Sequence, residues 1–434
     1  MDDFESRLST MLHERAATVP ATDRLDDVLF TPVTAAPSPR GRWWVGAAAA
    51  VLVVGAGVWA LVGEDGEPSL RPTDVTHSTD VGAGGGWVEL TAPPVEPSAG
   101  VTSVATGRGW FIWVEGDLER GYFYDVAVGL WTAVSAPGSV DAPGARLTAA
   151  LAGDEVVVVL DTAEPTVLGL DPGTFVWREI PVSAEAKAAW SPIVGLKSYG
   201  ERVIVWSQSA IPFRLMLLDP ANGAWDVLPD APGTDRWVSP PGEGLNMFRV
   251  EGIGRWIFEV ASSRNTGAAP CAAAEVRGYD VDDGTWHSWT APDAWSPSTV
   301  TSSGEGLLFA GATGCIDRKH VGAVSFDPAT SAWATLGTGP TRSELAAPFA
   351  FAVAGSDGVA AVFVGSGGVP IGYDSANGGW WTGSAPPIEA KPVAAAVIGG
   401  DIYVWQPTPD SENGRVFRAA LAAIATTTLA PTPT

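Results

Sequence analysis

Residues 326–333 read FDPATSAW, and the Asp327 and Trp333 inside this stretch recur at the same separation along the chain. The other copies are Asp125 with Trp131 (YDVAVGLW), Asp171 with Trp177 (LDPGTFVW), Asp219 with Trp225 (LDPANGAW), Asp280 with Trp286 (YDVDDGTW) and Asp374 with Trp380 (YDSANGGW). The aspartates step by 46, 48, 61, 47 and 47 residues. In each copy an apolar run ends at Tyr, Phe or Leu just before Asp. The carboxylate can accept turn amides, Pro presets φ where present, and Gly or Asn supplies a left-handed residue before the next strand. The Trp ring then covers the flank of a neighbouring sheet. Asp shapes a hairpin and Trp joins sheets, so both are expected to be structural.

Other elements keep the same beat. A Gly- or Asp-rich turn leads into an apolar strand: GRG into WFIWVE, GDE into VVVVL, YGER into VIVW, GIGR into WIFEV, GEG into LLFAG, GSDG into VAAVFV and GGD into IYVW. Seven such turns stand against six Asp-to-Trp units. The missing outer strand is at the front, where WVELTAPP from Trp87 matches WHSWTAP from Trp286 and WWTGSAPP from Trp380. The chain is therefore expected to begin with one outer strand, run through six four-stranded units and end on three strands, the last at 415–421. Pairing the first strand with the last three closes a ring and hides both edges.

A mean step near 50 residues is the kelch period rather than the shorter WD40 one. Together the order and the motifs resemble the kelch/galactose-oxidase-type β-propeller across residues 81–422. The resemblance implies an all-β fold, a seven-bladed kelch-like β-propeller; the repeat count closes it with an N-terminal outer strand, and one transmembrane helix is expected ahead of it. It carries no activity with it, because propellers host many unrelated functions. Copper chemistry of the galactose-oxidase kind needs a Tyr, His and Tyr–Cys set. Of the four histidines only His320 is well placed, so no metal or cofactor is expected.

Residues 43–62, WWVGAAAAVLVVGAGVWALV, are uncharged and long enough to span a bilayer as a helix. Arg24, Arg40 and Arg42 precede them and the acidic GEDGEP follows, which places the N-terminus in the cytoplasm and the rest outside. Residues 1–42 carry Phe4, Leu8, Met11, Leu12 and Ala16 at helical intervals. They resemble the short cytoplasmic N-termini of actinobacterial single-pass proteins, including anti-sigma regulators, although His13 stands without the cysteines of the zinc-binding kind. Residues 63–80 read as linker and 423–434 as a disordered tail.

The formal net charge of −24 repels phosphate backbones and argues against a nucleic-acid partner. Candidate binding residues lie instead in connections at one end of the expected propeller, away from the Asp turns. There Trp190, Trp237 and Trp295 stand outside the repeat, with Arg236, Arg318, Lys319, Arg342 and Glu344 to supply polar contacts. Glu185 and Lys187 belong to the same group. Cys271 and Cys315 fall in second-to-third-strand connections of adjacent units, so they either form a disulfide outside the membrane or remain two thiols. The expected function is membrane-tethered, non-catalytic recognition of a protein or glycan at the cell surface. The alternatives are an envelope enzyme acting on carbohydrate, and a sensor whose residues 1–42 hold a cytoplasmic partner.

Overall fold

The computed structural model describes residues 86–97, 100–114, 121–137, 146–161, 165–190, 194–207, 214–232, 247–262, 275–291, 295–303, 306–313, 320–341, 351–354, 359–364, 368–374, 379–388, 390 and 392–429. The chain divides into two compact units, Met1–His77 and Ser78–Thr434, and every described residue belongs to the second. The expected cytoplasmic segment, transmembrane helix and linker lie outside the described residues. Among those that are described, no helix is long and apolar enough to cross a membrane.

The described residues form seven antiparallel sheets. Sheet one comprises Val101–Ala105, Gly109–Val114, Gly121–Asp125 and Leu130–Val134. Sheet two comprises Arg146–Ala152, Glu155–Asp161, Thr166–Leu170 and Trp177–Glu179, and sheet three Val194–Tyr199, Arg202–Ser207, Arg214–Asp219 and Ala224–Val227. Met247–Ile253, Trp256–Ser262, Glu275–Asp280 and Thr285–Thr290 make sheet four. Sheet five is Trp295–Ser303, Gly306–Thr313, His320–Asp327 and Ala332–Thr341. Sheet six is Phe351–Ala354, Val359–Val364, Pro370–Asp374 and Gly379–Gly383, with Ala425–Leu429 as a fifth strand.

Sheet seven holds Ala394–Ile398, Asp401–Thr408 and Ser411–Ala420, and its fourth strand is Val88–Leu90 from the far end of the chain. The expected pairing is present, with Val88 opposite Arg418, Glu89 opposite Phe417 and Leu90 opposite Val416. First strands of successive sheets lie side by side from sheet one to sheet seven, and that of sheet seven lies beside that of sheet one.

The repeat has the expected chemistry. Asp125 Oδ1 accepts from Ala127 N at 2.9 Å and Val128 N at 3.2 Å, and Asp171 Oδ1 accepts from Gly173 N at 2.7 Å and Thr174 N at 3.2 Å. Asp219, Asp280 and Asp327 each accept the amide two residues on, at 2.9–3.0 Å. The fourth residue after Asp takes positive φ in all five described turns: Gly129, Phe175, Gly223, Gly284 and Ser331, at 75, 56, 70, 72 and 56°. Phe175 is an uncommon residue there; its ring lies edge-on to Phe123, centroids 5.4 Å apart.

Four of the repeat tryptophans, and Trp87, reach the preceding sheet. Trp131 Nε1 donates to Thr91 O at 2.7 Å, Trp177 Nε1 to Ser135 O at 2.7 Å, Trp225 Nε1 to Pro181 O at 2.9 Å and Trp286 Nε1 to Pro229 O at 2.9 Å. Trp87 Nε1 donates to Ser384 O at 2.9 Å. Every acceptor sits just past the fourth strand of the preceding sheet.

The core is therefore distributed between sheets. One apolar cluster joins sheets seven and one through Trp110, Ile112, Tyr403 and Trp405, and another joins one and two through Phe111, Trp113, Val156 and Val158. Others lie between two and three, three and four, four and five, and six and seven. Strands buried on both faces read as near-continuous apolar runs, as VVVVL does.

The C-terminus departs from expectation. Residues 423–434 read as a disordered tail, yet Leu421–Ile424 forms a helical turn and Ala425–Leu429 pairs with Gly379–Gly383, placing Trp381 opposite Thr428. Leu421 and Ile424 are buried against Trp87 and Trp381, and the β-branched Thr426, Thr427 and Thr428 suit an added edge strand.

Candidate functional site

The two ends of the sheets differ. At one end lie the Asp turns and the Gly turns, and their polar groups are answered from within. Arg108 Nε donates to Asp125 Oδ2 at 3.1 Å, and its Nη1 reaches Pro172 O and Gly173 O of the next sheet at 3.3 and 3.2 Å. Arg178 pairs with Glu155, its Nη2 2.6 Å from Oε2, and also donates to Pro220 O. Asp280, Asp283 and His287 bring ligand atoms within 4.8 Å of one another there. Arg255 Nε already stands 3.1 Å from Asp280 Oδ2, and Thr285 donates both its amide and its hydroxyl to Asp283 Oδ1. A metal ion would have to displace that guanidinium, so the arrangement is a hairpin turn with its own counter-ion.

The opposite end carries the long connections. Residues 233–246 join sheets three and four and 342–350 join five and six, while 263–274 and 314–319 connect second to third strands of sheets four and five. Arg236, Trp237, Arg318, Lys319, Arg342, Glu344, Cys271 and Cys315 all fall in these connections and lie outside the described residues. Of the remaining candidates, Trp190 follows the helix Ala184–Ala189, which carries Glu185 and Lys187 and is capped by Ser183 Oγ accepting from Ala186 N. Its ring is half-buried, edge-on to Trp225 at 6.3 Å, so it packs sheet three rather than standing clear of it. Trp295, expected in a connection, instead begins the first strand of sheet five, opposite Thr313.

Two polar groups escaped the sequence reading. On the first strands of sheets three and four, Lys197 Nζ donates to Glu251 Oε1 at 2.8 Å. Glu251 is buried, and burial raises its pKa against the opposing pull of Lys197. Arg249, two residues away, is held below the usual guanidinium range by burial.

The second group lies in the seam between sheets three and four. Glu259 is 1 % exposed and stands opposite Arg277, also 1 % exposed, on the neighbouring strand. Strand alternation puts both on the face of Ile257 and Tyr279, which pack against Ile204, Trp206 and Leu217 of sheet three. Burial pushes the Glu259 carboxyl up to about 8; Arg277 draws it down, and Asp230 and Glu275 push it further up. Among the described residues Glu259 Oε2 has no hydrogen-bond partner, and neither has Trp206 Nε1 in the same seam. Arg277 Nε donates to Glu275 Oε1 at 3.1 Å, and Arg214 Nη1 lies 2.9 Å from Asp230 Oδ1. The available signal was that Glu259 is the one acid inside the apolar run WIFEV. Ile112, Val158, Val205 and Val404, the corresponding second-strand residues of four other sheets, are all buried.

No family model matches the chain, and no curated protein matches it. Solved structures do. A chain from the crystal structure of a mitotic checkpoint complex aligns with a TM-score of 0.50 at 12% identity, covering 82% of this chain and 96% of that one. A chain from the structure titled YCF48 bound to D1 peptide aligns with a TM-score of 0.47 at 12% identity, covering 80% and 96%. With the sheet order above, the first of these makes the fold class plain: an all-β protein of the propeller type.

Proposed function

We propose that this chain is a seven-bladed kelch-type propeller, tethered by a single helix at 43–62 with the propeller outside the membrane, that binds a protein through the end carrying the long connections. The observation that carries the reading is the contrast between the two ends. Asp turns, Gly turns and Trp indoles spend their hydrogen bonds on the fold, whereas Arg236, Trp237, Arg318, Lys319, Arg342 and Glu344 belong to connections at the other end. Bulky aromatic and guanidinium groups in connections on a rigid scaffold are the usual material of protein recognition. The cyclic adjacency of seven sheets supports a closed ring. The neighbour of TM-score 0.50 belongs to a protein complex, which favours a protein ligand over a glycan. Cys271 and Cys315, in connections of adjacent sheets, would form a disulfide across that end.

A photoreactive amino acid in place of Trp237 or Arg342 should yield protein adducts on intact cells, and one in place of Asn222, at the turn end, should yield none. Equal labelling from Asn222, or no protein adduct from the first two, would sink the reading. An impermeant maleimide should label Asn222→Cys on intact cells and leave Arg15→Cys untouched.

A further inference from the structure

The seam between sheets three and four breaks a rule that four of the other sheets keep. Where Glu259 stands, sheets one, two, three and seven bury Ile112, Val158, Val205 and Val404. A carboxyl in such a place costs several kcal/mol unless it is paired and hydrogen-bonded. Its surroundings leave the pairing incomplete. Among the described residues, the acids Asp230 and Glu275 stand near Glu259 and Arg277 draws its carboxyl the other way, while Asp230 is itself paired with Arg214. Arg277 Nε is bonded to Glu275 Oε1 at 3.1 Å. Glu259 Oε2 is buried and accepts from nothing among the described residues. The polar side chains that flank the seam toward the end of the long connections, Glu275 and Asp230, are 43 and 40% exposed.

We propose that this seam is a subsite for a basic side chain, a lysine or arginine of the protein partner, with Glu259 as its counter-ion. The proposal rests on the protein-binding reading above and adds the chemistry of the residue that anchors it. A formal charge of −24 draws cations toward the protein, and an inserted ammonium or guanidinium supplies the N–H donor that Oε2 lacks. Glu259 enters the pairing ionised: its O–H bond breaks, the proton leaves to water, and the carboxylate faces the cation. Binding is therefore coupled to release of one proton wherever Glu259 is protonated beforehand. Burial holds it so up to about pH 8.

The test is calorimetry on the full chain in mild detergent with three probes: acetyl-Gly-Lys-Gly-amide, its arginine counterpart, and the uncharged norleucine isostere. Titrations in two buffers of different ionisation enthalpy count protons. The cationic probes should bind with proton release, tightening about tenfold from pH 6.5 to 7.5 and levelling off above about 8. Norleucine should not bind. Glu259→Gln, which keeps the shape of the side chain, should lose the pH dependence and most of the affinity. The proposal fails if norleucine binds as well as lysine, if the affinity ignores pH, if E259Q behaves as wild type, or if no cationic probe binds at tens of millimolar. Binding that appears only in Arg236→Ala also overturns it, by showing the seam filled by the chain itself. Tripeptide binding without adducts at residue 237 would refute the partner-binding end and leave the seam standing; adducts without tripeptide binding would do the reverse.

Discussion

The seam between sheets two and three and the seam between sheets three and four have the same architecture and different chemistry. In the first, Val157, Val159, Val203, Val205 and Met216 meet under Trp225, whose indole N–H is bonded to Pro181 O. The second has an apolar stretch of its own and then inserts Glu259 and Arg277. One seam is specialised for holding sheets together. The other gives up part of that cohesion for a buried pair of ionisable groups, a substitution that stability alone does not favour.

The contrast can be broken hardest at the apolar seam. Trp225→Ala removes a buried indole together with its bond to the preceding sheet, and urea unfolding should register a loss of about 3–5 kcal/mol. Next in size is the pH response of the polar seam. Folding raises the Glu259 pKa, so between the ordinary carboxylate range and about 8 the native state holds a proton that the unfolded state has released. Stability must then fall as pH rises through that window and level off above it, by as much as about 5 kcal/mol. Glu259→Gln should flatten this slope in pH-dependent melts, whereas Val205→Gln in the apolar seam should only destabilise.

A smaller effect is expected at the inner strands, where Lys197→Met leaves the buried Glu251 without its cation. Because the Lys197 side chain is 40% exposed, solvent moderates the loss to about 1–2 kcal/mol, measurable by denaturant titration. Smallest is the turn end. Asp171→Ala deprives two turn amides of their acceptor, with an expected cost of about 1 kcal/mol and no change in partner adducts at residue 237.

Much of the fold was legible because the repeat exposes its own physics. Asp and Trp at a constant spacing disclose a hairpin and an inter-sheet bond, and the surplus of one Gly turn led to Val88–Leu90 as the partner of Ser411–Ala420. The tail strand was not legible. ATTTL is too short and too polar to announce burial, and its pairing depends on the edge offered by Gly379–Gly383. Trp295 was misplaced because WSPS reads as a turn, whereas Pro297 sits beside a β-bulge. Glu259 and Glu251 were missed for a different reason. An acid in a strand normally marks a solvated face, and only the stacking of sheets on both sides turns that face into an interior. The connections that hold most of the candidate binding residues have no periodicity to read.

The pairing of Val88–Leu90 with Ser411–Ala420 also sets a timetable. At the usual synthesis rates of about 5–20 residues per second, the first strand waits roughly 15–65 s for residue 418 to be made. Until then Val88–Leu90 has no sheet to join, and its unpaired border is available to any neighbouring chain. Nascent chains of this protein should accordingly depend on protection late in synthesis, after six sheets already exist.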